Sequence, residues 1–200
     1  MLRELCSVMV IVYFFPFAGD NIDKLREQEE LHHSKKGQMF FGILDGPNVL
    51  LNYLKPTDRL YIVAHGNPWV IAQNQTSEST LSAFELAKLM VAKRLPKNFI
   101  DIRILACDSG INASKYSCSF AQRFKERMSE LGYNKLEVTG YLGGVFLSRN
   151  WRLENNEKSG FHQGKKKGII PDESFSHMIK SRLGIDRTLK YAASDFKKVF

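Results

Sequence analysis

The sequence predicts an α/β fold: a mainly parallel sheet flanked by helices, with a basic C-terminal β-flap and tail. Three observations lead there. Short runs such as VMVIVYFF (8–15), LYIVA (60–64) and IRILA (102–106) are apolar enough to be buried on both faces, as the strands of a parallel sheet are. Amphipathic stretches with helical spacing separate several of them, and strand–helix alternation indicates right-handed parallel crossovers. Past Gly140 the character changes to glycine-rich, basic sequence, hairpin-like around Glu154-Asn-Asn-Glu.

The first strand is expected at about Val8–Phe15. Cys6–Phe15 has the length of a signal-peptide core, but Leu2-Arg-Glu-Leu5 ahead of it is not clearly cationic and no Ala-x-Ala pattern follows cleanly. The run breaks at Pro16, is too short to span a bilayer, and is rich in the β-branched and aromatic residues that suit a buried strand. A polar helix follows at about Asn21–Ser34, in which His32 and His33 are expected to be solvated. Gln38–Leu44 reads as a second strand stopped by Asp45-Gly-Pro, Val49–Leu54 as a short helix or turn, and Leu60–Ala64 as a third strand.

A polar loop is expected over Asn67–Thr80. Ser82-Ala-Phe-Glu85 is a capping box, in which the Ser hydroxyl and the Glu carboxylate each satisfy a free N–H of the first helical turn. The helix it opens carries Phe84, Ala87 and Met90/Val91 along its expected buried face and ends before Pro96. Ile102–Ala106 is the fourth strand. A helix from about Ser117 to Leu131 places Phe120, Phe124, Met128 and Leu131 at helical spacing and stops at Gly132; Lys135–Gly140 is the fifth strand. The tail Pro171–Phe200, with Lys180, Arg182, Arg187, Lys190, Lys197 and Lys198, looks helical in part.

Two hundred residues suit a single domain, here 1–200, with a core at about 8–152 and a flap and tail at about 149–200. Hydrophobic residues at 44% and charged residues at 25% are ordinary for a globular protein, which excludes a disordered chain. The net charge of +8 favours anionic partners: phosphates, nucleic acid or an acidic membrane face. Three cysteines, Cys6, Cys107 and Cys118, suggest a reducing compartment rather than a disulfide framework.

In parallel α/β sheets ligands sit at the carboxyl ends of the strands. The third strand ends in His65-Gly66 and the fourth in Ala106-Cys107-Asp-Ser. If these strands are neighbours, their ends lie about 5 Å apart, and a thiol and an imidazole meet across one cleft. A thiol attacks carbonyl carbon as its thiolate, and histidine is its usual base. The backbone N–H groups of Gly66 and Cys107 are candidate donors to the developing oxyanion. A cysteine at a strand end is more often a small core residue, and a lone histidine a satisfied polar group; the matched context of the pair is what favours chemistry. Cys6 falls inside a strand pattern, Cys118 begins a helix, and His162 and His177 have no Cys or carboxylate at ligand spacing, so no metal site is read.

The layout strand-His-Gly, capped helix, strand-Ala-Cys, helix, strand resembles the caspase-like cysteine peptidases, the clan of gingipains, clostripain and separases. Within it the chain is most similar to the inositol-hexakisphosphate-activated cysteine protease domains of bacterial toxins. The resemblance covers roughly Val8 to Arg152 and rests on Leu60–Gly66, Ala83–Leu89, Ile102–Ser109, Phe120–Phe124 and Val138–Tyr141, with His65 and Cys107 42 positions apart. It implies a caspase-like three-layer sandwich, with Cys107 as nucleophile and His65 as general base and acid. It further implies cleavage of a protein substrate, in a host protein or the chain itself, and a secreted bacterial toxin or effector switched on in the host cytosol by inositol hexakisphosphate.

The basic Arg149–Lys167 segment falls where the family's flap lies, and Lys165, Lys166, Lys167 and Arg182 are the residues expected to meet the polyphosphate. The chain has Ala106-Cys107 where the family commonly has Gly-Cys, and Asp108 would raise a neighbouring thiol's pKa unless neutralised. It carries no toxin modules beside the domain, which suits a free-standing effector. Two alternatives remain open: another Cys–His acyl transfer, such as a deamidase or transglutaminase-like reaction, and a non-catalytic basic module for phosphoinositides or other polyanions. No aromatic-basic motif points to nucleic acid specifically.

Overall fold

The run Ile11–Phe15 sends successive side chains to opposite sides. Val12 and Phe14 join one buried cluster, Tyr13 and Phe15 another, as the period-2 geometry of a strand requires. The computed structural model describes residues 9–34, 37–74, 76, 78–115, 117–153, 169–181 and 190–200. In chain order the elements are β1 (Ile11–Phe15), α1 (Asp20–Ser34), β2 (Phe41–Leu44), β3 (Arg59–Val63), β4 (His65–Gly66), β5 (Val70–Ala72) and β6 (Thr80–Ser82). Then come α2 (Ala83–Ala92), β7 (Asp101–Leu105), β8 (Asn112–Ser114), β9 (Ser117–Ser119), α3 (Phe120–Glu130) and β10 (Glu137–Tyr141). The last four are β11 (Gly143–Leu153), β12 (Ile169–Ser181), β13 (Lys190–Ala192) and β14 (Lys197–Val199).

Six strands form the central sheet in the order β14-β10-β7-β3-β1-β2. All neighbours are parallel except β10–β14. The fold is therefore α/β with a mostly parallel mixed sheet. From β1 the chain winds outward through α1 to β2; from β3 it winds the other way, through α2 to β7 and through α3 to β10. A constant crossover hand then demands helices on opposite faces. Ile22 and Leu25 of α1 do pack with Tyr13, Phe15, Val63, Leu105 and Tyr141 on one face. On the other, Leu86 and Met90 of α2 and Phe120, Phe124 and Met128 of α3 pack with Phe14, Leu60, Ile62, Ile102, Ile104 and Val138. The winding reverses between β1 and β3, so the crevice such folds use for ligands opens beside the β3 terminus.

The capping box at Ser82 forms as expected: Ser82 Oγ accepts from Glu85 N–H at 3.3 Å, and the Ser82 N–H donates to Glu85 Oε2 at 2.8 Å. Helix α3 is capped by Ser119 Oγ, which accepts from Gln122 N–H, and the chain leaves it at Gly132, whose φ of +90° is the left-handed conformation that terminates helices.

Five local expectations are corrected. The face that α2 buries is Ala83, Leu86, Ala87 and Met90, while Phe84 and Val91 are exposed. Apolar residues outnumber polar ones on α2, so spacing alone does not choose the face, and the sheet claims the Leu86 side. His32 and His33 are buried, because the last turns of α1 lie against β1, where Tyr13 OH and His33 Nε2 form a 2.8 Å hydrogen bond. The Asn67–Thr80 loop contains β5, and β6 follows at Thr80–Ser82; both pair antiparallel, in line with β4. Ser117–Ser119 is strand, not helix, paired with β8, so Cys118 precedes α3 rather than opening it. In the described tail there is strand and no helix. Ile169–Ser181, with Ile169, Ile170, Phe175 and Ile179, favours extended backbone and forms the long antiparallel hairpin with β11, and β14 covers the β10 edge.

Candidate active site

The β3–β7 register runs Arg59↔Asp101 through Val63↔Leu105, and Ala64 N–H donates to Leu105 O at 3.4 Å. Two residues beyond Val63 is His65; two beyond Leu105 is Cys107. The adjacent parallel strands thus release the imidazole and the thiol at equivalent positions on one side of the molecule. Both residues are partly exposed, so neither is the sealed core residue that its strand-end position alone would suggest.

His65 enters β4, which folds back on β5 with His65 opposite Ala72 and Gly66 opposite Ile71. The turn closes with Asn67 N–H donating to Val70 O at 3.0 Å, while Asn67 Oδ1 accepts from the N–H groups of Trp69 and Val70. Antiparallel pairs alternate between bonded and non-bonded. With 67/70 bonded, 66/71 is a non-bonded pair, and the Gly66 N–H is turned away from β5. A Cβ at Gly66 would lie 2.9 Å from Ala106 Cβ and 3.4 Å from Cys107 O. The glycine is required because the segments carrying His65 and Cys107 touch there. Partial burial pulls the His65 pKa below its ordinary value, so the imidazole is held in its neutral, proton-accepting form.

The turn that carries Cys107 is pinned from three sides. Asp108, buried and with φ of +58°, donates its N–H to Gly143 O at 2.8 Å. Ser109 Oγ donates to Ile104 O at 2.9 Å and accepts Tyr141 N–H at 3.0 Å. Gly110 N–H donates to Tyr141 O at 2.8 Å. These bonds fix the Cys107 turn to the junction of β10 and β11, from which the long hairpin departs. The thiol itself lies against that hairpin: Cys107 Sγ donates to Val145 O at 3.7 Å, and a Cβ on Gly144 would sit 4.0 Å from the sulfur. A carbonyl acceptor stabilises the thiol over the thiolate.

Residues 47–131 match the model of a domain of unknown function (DUF8616). That stretch runs from the turn before β3 to the end of α3 and contains both His65 and Cys107. No curated protein and no solved structure matches the chain.

Of the residues singled out from the sequence, His65-Gly66 and Cys107 lie at neighbouring strand ends, with Gly66 against the Cys107 backbone. Lys165, Lys166, Lys167 and Arg182, like Cys6 and His162, lie outside the described residues, as does the 154–168 part of the expected flap. Among the described residues no three His, Cys, Asp or Glu side chains are placed to hold a metal ion, and no helix is long and apolar enough to cross a membrane. The roles of Ser109, Gly143 and Val145 around Cys107 escaped the sequence reading. Gly143-Gly144 was the available signal, since consecutive glycines after a buried strand mark a close backbone approach. The acceptor atom of Val145 is main-chain and leaves no trace in residue identity.

Proposed function

We propose that the protein is a cysteine endopeptidase of the caspase-like kind, acting through a His65–Cys107 dyad. One observation carries this reading: the in-register pairing of β3 with β7, which puts His65 and Cys107 at matched positions two residues past the last paired ones. In the reaction Cys107 gives its proton to neutral His65 while Sγ attacks the scissile carbonyl carbon, forming a C–S bond and pushing the carbonyl electrons onto oxygen. The Gly66 and Cys107 N–H groups are the donors to that oxyanion. Collapse breaks the C–N bond, and the imidazolium returns its proton to the departing amine. Water, deprotonated by His65, then attacks the thioester, releases the acid and restores the thiol.

Activation follows from the Val145 contact. With its proton engaged by Val145 O, the sulfur is held as a thiol, and movement of the β11–β12 hairpin is needed to free it. The hairpin is the family's flap in this reading. Inositol hexakisphosphate, met inside a host cell by a secreted effector, is the activator, and the basic Arg149–Lys167 segment with Arg182 is its seat. A polyanion that orders a self-repelling cationic segment shifts the population of the flap by ordinary linkage.

The test is alkylation of Cys107 by a peptidyl electrophile, with and without inositol hexakisphosphate, in wild type, His65→Ala and Cys107→Ala. Labelling that requires His65 and rises with the polyphosphate supports an activated dyad. Slow labelling indifferent to both marks an ordinary thiol and leaves the basic surface as the guide to function.

A further inference from the structure

Resting on the dyad reading, we infer that Arg123 is a positioning residue that sets the His65–Cys107 separation. Helix α3 presents the Arg123 guanidinium to two loops at once. Nη2 donates to Pro68 O at 2.8 Å and to Trp69 O at 3.2 Å, at the tip of the hairpin that begins with His65. Nη1 donates to Cys118 O at 2.5 Å, in β9, which leads directly into α3, and α3 is itself bonded to the Cys107 turn by Ala121 N–H donating to Ser109 O at 2.9 Å. The same group lies over the Trp69 ring, 5.3 Å from its centroid. Among the described residues no carboxylate pairs with Arg123, so this cation is spent on three main-chain carbonyls.

The need for such a clamp follows from the hairpin itself. Strand β4 is two residues long and β5 three, far short of what stands alone in water. Trp69 at its tip is 53% exposed and adds little burial. At its base the β4–β6 ribbon is tied down by the Gly66–Ala106 contact and by Gln73, whose Nε2 donates to Ala18 O. Its tip is tied to α3 through Arg123. A guanidinium has five donors in a rigid fork and bridges carbonyls in two directions; an ammonium on a flexible stem does not hold that geometry. Because α3 is bonded to the Cys107 turn through Ala121 and Ser109, Arg123 ties the hairpin that carries His65 to the helix that holds that turn, and its loss lets the hairpin shift against it. Misplacement by about 1 Å is enough to cost on the order of 100-fold in rate.

The experiment measures iodoacetamide alkylation of Cys107 in the full chain, with inositol hexakisphosphate present, read by mass spectrometry of the Cys107 peptide. The variants are wild type, Arg123→Met, Arg123→Lys, His65→Ala and each Arg123 change combined with His65→Ala. Expected are labelling rates at least about 10-fold lower in both Arg123 variants, a circular-dichroism melt close to wild type, and no further loss when either is added to His65→Ala. That non-additivity is the signature of a residue acting through His65. Equal losses with and without His65, or full rescue by lysine, overturn the proposal in favour of a general structural or charge effect. If Arg123→Met does not fold, the lysine pair alone decides between these outcomes. Equal labelling of wild type and His65→Ala removes the dyad itself and with it any positioning role. That pattern is distinct from a working dyad indifferent to Arg123.

Discussion

The two faces of the central sheet are built on different principles. Beneath α2 and α3 the contact is apolar, Phe14, Leu60, Ile62, Ile102 and Ile104 against Leu86, Met90, Phe120, Phe124 and Met128. Beneath α1 the sheet offers tyrosines and charge. Tyr13 stacks on Tyr61 with centroids 4.9 Å apart, Arg103 lies over Tyr61, Arg59 and Arg103 pair with Asp101, and Glu29, His32 and His33 are buried on the helix above. The first face stabilises through area removed from water, which is indifferent to pH and ligands. The second depends on partners being present and correctly protonated. It is also the face toward the β11–β12 hairpin: Val145 packs against its cluster, and α1 touches β12. The division places the apolar packing on one face of the sheet and the polar, partner-dependent packing on the other.

The sharpest way to break this comparison is to cut equally into both faces. Phe124→Ala empties a fully buried site and should cost about 3–5 kcal/mol, a large share of the 5–15 kcal/mol of a typical domain. Urea unfolding should show this loss unchanged between pH 5.5 and 8. Tyr13→Phe removes only a hydroxyl, the one bonded to His33 Nε2. It should cost about 1–3 kcal/mol, the penalty for stranding a buried polar partner. A Phe124 cost that varies with pH would mean that the apolar face is coupled to the polar one, and the division would fail.

A second pair concerns which side of α2 belongs to the apolar face. Leu86→Ala should cost about 2–5 kcal/mol by thermal or denaturant melt. Phe84→Ala, at an exposed ring flanked by Lys88 and Arg127, should cost no more than about 1 kcal/mol for the lost cation–ring contacts. The sequence could not make this distinction. It shows Ser82 and Glu85 as a cap, and the cap forms, because capping is decided within four residues. It shows Leu60–Ala64 and Ile102–Ala106 as buried strands, since runs apolar on both sides leave no other place for them. Through those two strands it also shows His65 and Cys107 as strand-end neighbours.

What stayed hidden depends on distant partners. The burial of His32 and His33 depends on Tyr13. The strands Val70–Ala72 and Ser117–Ser119 are too short for periodicity to register. The extended tail depends on the β10 edge being open to receive it. The Arg123 clamp and the Val145 acceptor engage main-chain oxygens, which every residue has, so no residue type advertises them.

The smallest expected effect is at the boundary of the two faces, where His65 sits. Partial burial penalises the imidazolium, so the folded protein binds a proton here less readily than the unfolded chain, whose histidine titrates near 6.5. Just below pH 6.5 the unfolded state therefore carries more protons, and stability rises with pH there. The favourable neutral form is fully present above about 6.5 and is lost as pH falls through the lower folded value. Proton NMR of the His65 ring in Cys107→Ala, which removes the coupled thiol, should give a midpoint below 6.5. His65→Ala should narrow the gap in melting temperature between pH 5 and pH 7.5. A midpoint at or above 6.5 would mean that negative charge near His65, with Asp108 beside Cys107 the first candidate, outweighs burial. Only a midpoint above about 7 would leave His65 mostly charged at neutral pH, and it would then need to lose a proton before it could serve as base. A low midpoint leaves His65 neutral at about pH 7, and under the proposed mechanism the step left to regulate would be release of the Cys107 thiol from Val145.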